Sequence, residues 1–265
     1  MREVYDNGSF WASIYSSSYG SISEAIYRCI YCVVVLPRVL GSLATLLSIF
    51  VVIRLLHRRP FRSVITTGDR LNRGYLVQGF GLTFLLVSAA MMVDYFLSCP
   101  NPLSGVDLPP LSGMHFISIP LGFTISATRE EVQFRGYILQ GLGLLIRNRI
   151  VLVSVIDLIF MMGHIGKPDL TYTILLAHFE AGVFYAIMTL KSNGVEFAVG
   201  SHIAYNLVVG LIGWSVPYTV PIYFPILFPM CAVIMYLIIF RRKAVPQAET
   251  KQPQASVRSF RQRSE

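Results

Sequence analysis

The sequence predicts an all-α integral membrane protein, a polytopic bundle of about seven transmembrane helices, with six to eight as the bounds. Three observations carry that reading. Of 265 residues, 54% are hydrophobic and 14% charged, where a soluble domain averages about 25% charged; the mean hydropathy is +0.59. Apolar runs recur at the length a helix needs to cross a bilayer. Basic residues gather in every second gap between those runs, as positive-inside topology requires. The net charge of +8 therefore describes loops on one side of a membrane and argues against a nucleic-acid partner.

The elements follow in order. Residues 1–24 are a polar N-terminal segment with no basic start and no clean apolar core, unlike a cleavable signal peptide. Residues 25–240 form the helical membrane domain. Its first helix lies within Ala25–Leu56, where Pro37 and Arg38 interrupt the apolar run. This is either one kinked helix or a short interfacial segment followed by a span. The second runs Gly74–Leu97, with Asp94 as its charge. The third begins near Met114 and passes through a polar stretch, Arg129 to Arg135, toward Ile146. The fourth is Ile150–Ile165, the fifth Leu170–Leu190 and the sixth Val195–Val216. The seventh, Pro221–Phe240, is uncharged and contains three prolines, which predict a bend.

Loop charge tests this division. Arg58, Arg59, Arg62, Arg70 and Arg73 separate helices 1 and 2, Arg147 and Arg149 separate 3 and 4, and Lys191 separates 5 and 6. The alternate loops, Ser98–Gly113, Gly166–Asp169 and Pro217–Val220, hold Lys167 as their basic residue. The C-terminus is thus expected in the cytoplasm and the protein in the cell (inner) membrane. Residues 241–265 read as a disordered basic cytoplasmic tail, too poor in apolar residues to fold. The four cysteines, Cys29, Cys32, Cys99 and Cys231, make neither a zinc-ribbon spacing nor a redox context, and read as small apolar residues.

Ionisable groups within apolar helices cost roughly 2.5–3.5 kcal/mol each on insertion scales and mark function by default. Here they concentrate in the central helices. On helix 3, Glu131 and Arg135 are i,i+4 and can pair as a structural brace. Glu130 lies about 100° around the helix and is expected to lack its own cation, as suits a general base. On helix 4, Phe160 and His164 are i,i+4, so the ring can pack beneath the imidazole. On helix 6, His202 and Asn206 present an imidazole and an amide on one face, groups able to donate to an oxyanion. Counting helical rise from the basic ends places all four candidates inside the hydrocarbon layer. Asp157, seven residues before His164, can orient it or pair with an arginine or a backbone donor. His178 and Glu180 either line the cavity or cross-link helices, and Glu196 is expected to be solvated.

Glu130-Glu131-x-x-x-Arg135, Phe160-x-x-x-His164 and His202-x-x-x-Asn206, in this order on successive helices, resemble the signature of the CAAX prenyl protease and bacteriocin-processing (CPBP, or Abi) family. The likeness covers roughly residues 114–216, the expected protease core, and extends to Gly136 and Tyr137. Gln133 departs from it, standing where many members carry an apolar residue, with no expected consequence for chemistry. The resemblance implies an intramembrane endopeptidase acting near the cytoplasmic face. In it Glu130 and His164 activate water, His202 and Asn206 hold the tetrahedral intermediate, and Glu131, Arg135 and Phe160 give structural support. It also implies a peptide or protein substrate, prenylated CAAX peptides among the possibilities. The family is often classed with metalloproteases; if a metal is present, Glu130, His164 and His202 are its ligands and zinc the ion, although no HExxH occurs. Two alternatives stand beside it: a non-catalytic scaffold or bacteriocin-immunity factor of the same fold, and a proton-coupled transporter, for which the expected matched halves are not found.

Overall fold

A computed structural model describes residues 24–98, 113–165, 171–215 and 224–240. The readings of the N-terminal segment, of the alternate loops and of the tail at 241–265 lie outside these residues. The described chain is helical, and seven helices stand among the described residues. Helix α1 is Glu24–Val51, continued by π-helical Val52–Leu56. Pro37 lies inside it, so the first apolar run is one helix rather than two. Helix α2 is Arg73–Ser98. Helix α3 is composite: α-helical Gly113–Glu131, π-helical Val132–Ile138, then α-helical Leu139–Leu145. Helix α4 is Arg149–Met162, α5 Tyr172–Ser192, α6 Glu196–Ser215 and α7 Phe224–Phe240.

Three stretches are long and apolar enough to cross a membrane, Leu36–Leu56, Arg73–Leu97 and Tyr172–Ser192, and they place the chain there; Ile226–Phe240 is shorter but apolar. About seven spans were expected, the fourth at Ile150–Ile165. The observed α4 has 14 residues, about 21 Å of rise against a hydrocarbon core of about 30 Å. Asn148 caps its start, accepting from the Ile150 and Val151 backbone N–H groups, and Gly163 ends it. His164 is therefore not helical, as the sequence suggested, but stands in the turn just beyond α4.

The most extensive helix pairing joins α2 to α6. Glycines explain how close these helices come. A Cβ on Gly79 would strike the Phe197 carbonyl, and one on Gly200 would strike the Leu76 carbonyl. Small residues admit such backbone approach in a membrane, where packing rather than hydrophobicity drives association. Thr83 and Ser201 complete the seam with a hydroxyl–hydroxyl bond of 2.6 Å. Glu196, expected to be solvated, is buried (5% exposed). It accepts from the Asn72 N–H at 3.0 Å, and Asn72 in turn accepts from Tyr75 N–H in the first turn of α2.

The basic loops meet at one end of the bundle, as loop charge predicts. Thr66 pairs with Gly194 across the α1–α2 and α5–α6 connections, and Val195 N–H donates to Ile65 at 2.8 Å. Asn193 turns the second connection with a positive φ of 58°, which asparagine tolerates better than most residues. Gln140 on α3 donates to the Ser63 carbonyl. Beneath them Ile49, Ile53, Val64 and Val132 form a small core, and Gly136 leaves no room for a side chain against the Val64 carbonyl.

Candidate active site

At the other end of α4, a cavity of about 150 Å³ opens between α1, α3, α5 and α6. Glu130, His164, His202 and Asn206, singled out from three separate motifs, all line it. The α helix of α3 delivers Glu130 just before its π-helical segment. The turn after α4 delivers His164, and one face of α6 delivers His202 and Asn206.

Each imidazole has a defined hydrogen-bonding role. His164 Nδ1 lies 2.9 Å from the Phe160 carbonyl. A carbonyl only accepts, so Nδ1 carries the proton and Nε2 the lone pair. The Phe160 ring sits edge-on to the same imidazole, with centroids 4.8 Å apart, as the i,i+4 spacing foretold. His202 Nδ1 lies 2.7 Å from Glu131 Oε1, and its Nε2 lies 3.7 Å from Glu130 Oε2. The ring bridges the two glutamates. Tyr185 stacks on its face, centroids 5.0 Å apart and planes 21° apart.

Behind the cavity lies a sealed ionic network. Arg135 donates to Glu131 at 3.2 Å and to Asp157 at 2.7 Å, and the side chains of all three are fully buried. Of the alternatives for Asp157, pairing with an arginine is the one found. The guanidinium carbon also sits 4.3 Å from the Phe160 ring centroid, so Phe160 packs between Arg135 and His164. Gly182 makes room for the network: a Cβ there would come within 2.7 Å of Asp157 Oδ1 and 3.0 Å of Arg135 Nη2.

Glu130 differs from expectation in one respect: it has a cation. Arg129 Nη2 approaches Glu130 Oε1 at 2.7 Å, and Ser126 lies 3.4 Å from the same oxygen. Adjacent helical residues do not ordinarily face each other, but the long arginine arm swings across. Gln133, one turn on, accepts from Arg129 Nη1 at 3.2 Å and holds that arm. The position where the sequence departs from the family pattern thus touches the partner of the candidate base.

Two of the cavity residues not named as site residues pack their rings against the histidines. His178 lines the cavity, its ring centroid 4.0 Å from that of His164. Its Nδ1 lies 2.6 Å from the Ile174 carbonyl, which again leaves the lone pair on Nε2. Tyr185 is the other. The available signal was spacing, since His178, Ala181 and Tyr185 recur on one face of α5. Glu180 faces away, into an apolar groove beside α7 that includes Phe184 and Phe228.

Glu130, His164 and His202, the ligands expected if a metal is present, all line the cavity. Among the described residues, no three or more His, Cys, Asp or Glu side chains are grouped so as to hold a metal ion. Glu131 takes His202 Nδ1 and Arg129 takes Glu130.

Comparison with known proteins bears on this segment. Residues 112–208 match the family model described as type II CAAX prenyl endopeptidase Rce1-like. Every residue of the three motifs falls inside the match, as do His178 and Gly182. The uncharacterized protein YyaK of Bacillus subtilis (strain 168) is 27% identical over 164 residues, covering 60% of this chain and 54% of that protein. The aligned region thus spans about half of that relative's length. No solved structure matches the chain.

Proposed function

From the premise that residues 112–208 are an Rce1-like membrane domain, consistent with the CPBP family, we propose that the chain is an intramembrane endopeptidase. Its substrate class is a membrane-delivered peptide, with prenylated CAAX-type tails as the leading case. Glu130 and His164 take the proton of a water molecule, whose oxygen attacks the scissile carbonyl carbon. His202 and Asn206 hold the oxyanion that forms. The C–N bond then breaks, and the proton passes to the departing amine, with no covalent enzyme intermediate.

The observation that carries this reading is convergence: four side chains from two helices and the turn after a third line one cavity inside the apolar bundle. Burial aids the chemistry, because oriented donors act more strongly where water is scarce. His164 lines the same space, its ring held by the Phe160 carbonyl at Nδ1. His202 gives its Nδ1–H to Glu131, so it donates from Nε2 only as the doubly protonated ring. The site lies one α4 length, about 21 Å, from the basic end of the bundle. The substrate therefore enters the membrane layer to be cut.

One observation favours the non-catalytic scaffold reading, namely Arg129 bound to the carboxylate of Glu130. A single experiment separates the two. Purified protein in detergent is given a mixed peptide library and farnesylated CAAX peptides, beside Glu130→Ala, with and without a strong chelator. The expected result is cleavage by the unmodified chain alone, indifferent to the chelator. Absence of cleavage from a folded preparation on every substrate would transfer support to the scaffold.

A further inference from the structure

Arg38 stands midway along α1, near the start of its apolar stretch Leu36–Leu56 and away from the basic loops. The apolar stretch Leu36–Leu56 includes two arginines. Arg54 needs no special account, since it adjoins Arg58 and Arg59. Arg38 lies 16 residues away, roughly 24 Å of helical rise, where positive-inside topology asks for no cation. It makes no ion pair or hydrogen bond among the described residues. It is exposed, and it lines the cavity that holds Glu130, His164, His202 and Asn206. The other two guanidiniums near the site are engaged, Arg129 by Glu130 and Arg135 by Glu131 and Asp157. Arg38 also precedes the family match, which begins at residue 112.

We propose that Arg38 is a specificity-determining residue that receives the free α-carboxylate at the end of the substrate chain. This rests on the endopeptidase reading above. A guanidinium binds a carboxylate through two parallel N–H···O bonds. Within an apolar layer each charge is costly alone, so the pair forms most favourably when the substrate arrives. The chain end is favoured over an acidic side chain by room. A cavity of about 150 Å³ accommodates a peptide that stops in it more readily than one that runs through it. An anchor on the wall of so small a cavity places the scissile bond close to the terminus.

The test uses the full chain in detergent and a farnesylated Cys-Val-Ile-Ala peptide in three forms: free acid, C-terminal amide, and amide with aspartate as the last residue. Arg38→Gln and Arg38→Lys are compared with the unmodified protein. The free acid should show a KM about tenfold below that of the amide, with similar kcat. Arg38→Gln should raise the acid's KM to the amide's and leave the amide's kinetics unchanged, and lysine should restore part of the preference. Equal KM for acid and amide, or a fall in kcat on both peptides with Arg38→Gln, overturns the assignment. Rescue of the amide by its aspartate overturns the chain-end part, leaving a side-chain carboxylate as ligand. Fluorescence titration of the acid and amide against Glu130→Gln protein, with and without Arg38→Gln, reads binding without turnover. Acid binding about tenfold tighter, lost with Arg38→Gln, supports Arg38 even where no peptide is cut, while the absence of cleavage would count against the endopeptidase reading alone.

Discussion

Glu130 and Glu131 are neighbours in the chain and occupy opposite environments. Glu131 is sealed, its side chain fully buried against Arg135 and within 2.7 Å of His202. Glu130 stands at a cavity wall, its side chain 15% exposed, and its cation Arg129 is 24% exposed. A step of about 100° around the helix separates a carboxylate held among fixed partners from one on the cavity wall. Burial with several fixed partners makes a carboxylate part of the scaffold; access to an enclosed space leaves it available for proton transfer.

The strongest way to break the sealed side is Arg135→Ala. It strands Glu131 and Asp157 as buried charges, and removing one partner of such a set costs about 3–5 kcal/mol. Chemical unfolding in detergent should show that loss together with loss of activity; wild-type stability would mean the network is not holding α3 to α4. Glu130→Gln addresses the open side. Loss of a general base lowers the rate about 10²–10⁴-fold, here with an unchanged unfolding midpoint, so activity and stability separate at two adjacent residues. A matching fall in stability would erase the contrast.

Gly182→Ala probes the sealed side more gently. The added methyl presses on Asp157 and Arg135, and overpacking of this kind costs about 1–3 kcal/mol, read as an earlier thermal transition. If the transition does not move, the network is looser than its distances indicate. The smallest effect is expected from Gln133→Leu, which removes the bond that holds Arg129. A hydrogen bond of this kind contributes about 0.5–1.5 kcal/mol, so the cleavage rate should rise by no more than about tenfold as Arg129 leaves Glu130. A fall in rate would instead make Arg129 part of the working site.

Much of the site was legible because its chemistry is written at short range. Glu131 with Arg135 and Phe160 with His164 each stand at i,i+4, and helical geometry alone makes such pairs meet. The pairings with Arg129 and Asp157 were less legible, since a long arm crossing to an adjacent residue and a partner 22 positions away obey no local period. Glu196 was misjudged for the same reason: its partner, Asn72, comes from the far side of the sequence. His178 carried a signal in its spacing with Tyr185, but only once the inward face of α5 was known.

The sequence by itself determined the all-α membrane class, the division into seven helical segments and the four side chains with chemistry to offer. Composition, span length and helical period are properties of the chain before it folds. Tertiary structure alone decided that α4 stops before His164 and that α3 passes through a π-helical segment. It also brought His178 and Arg38 to the cavity. Those outcomes depend on how helices distant in sequence approach one another, and glycines such as Gly79, Gly182 and Gly200 set that approach only against the neighbour they happen to meet.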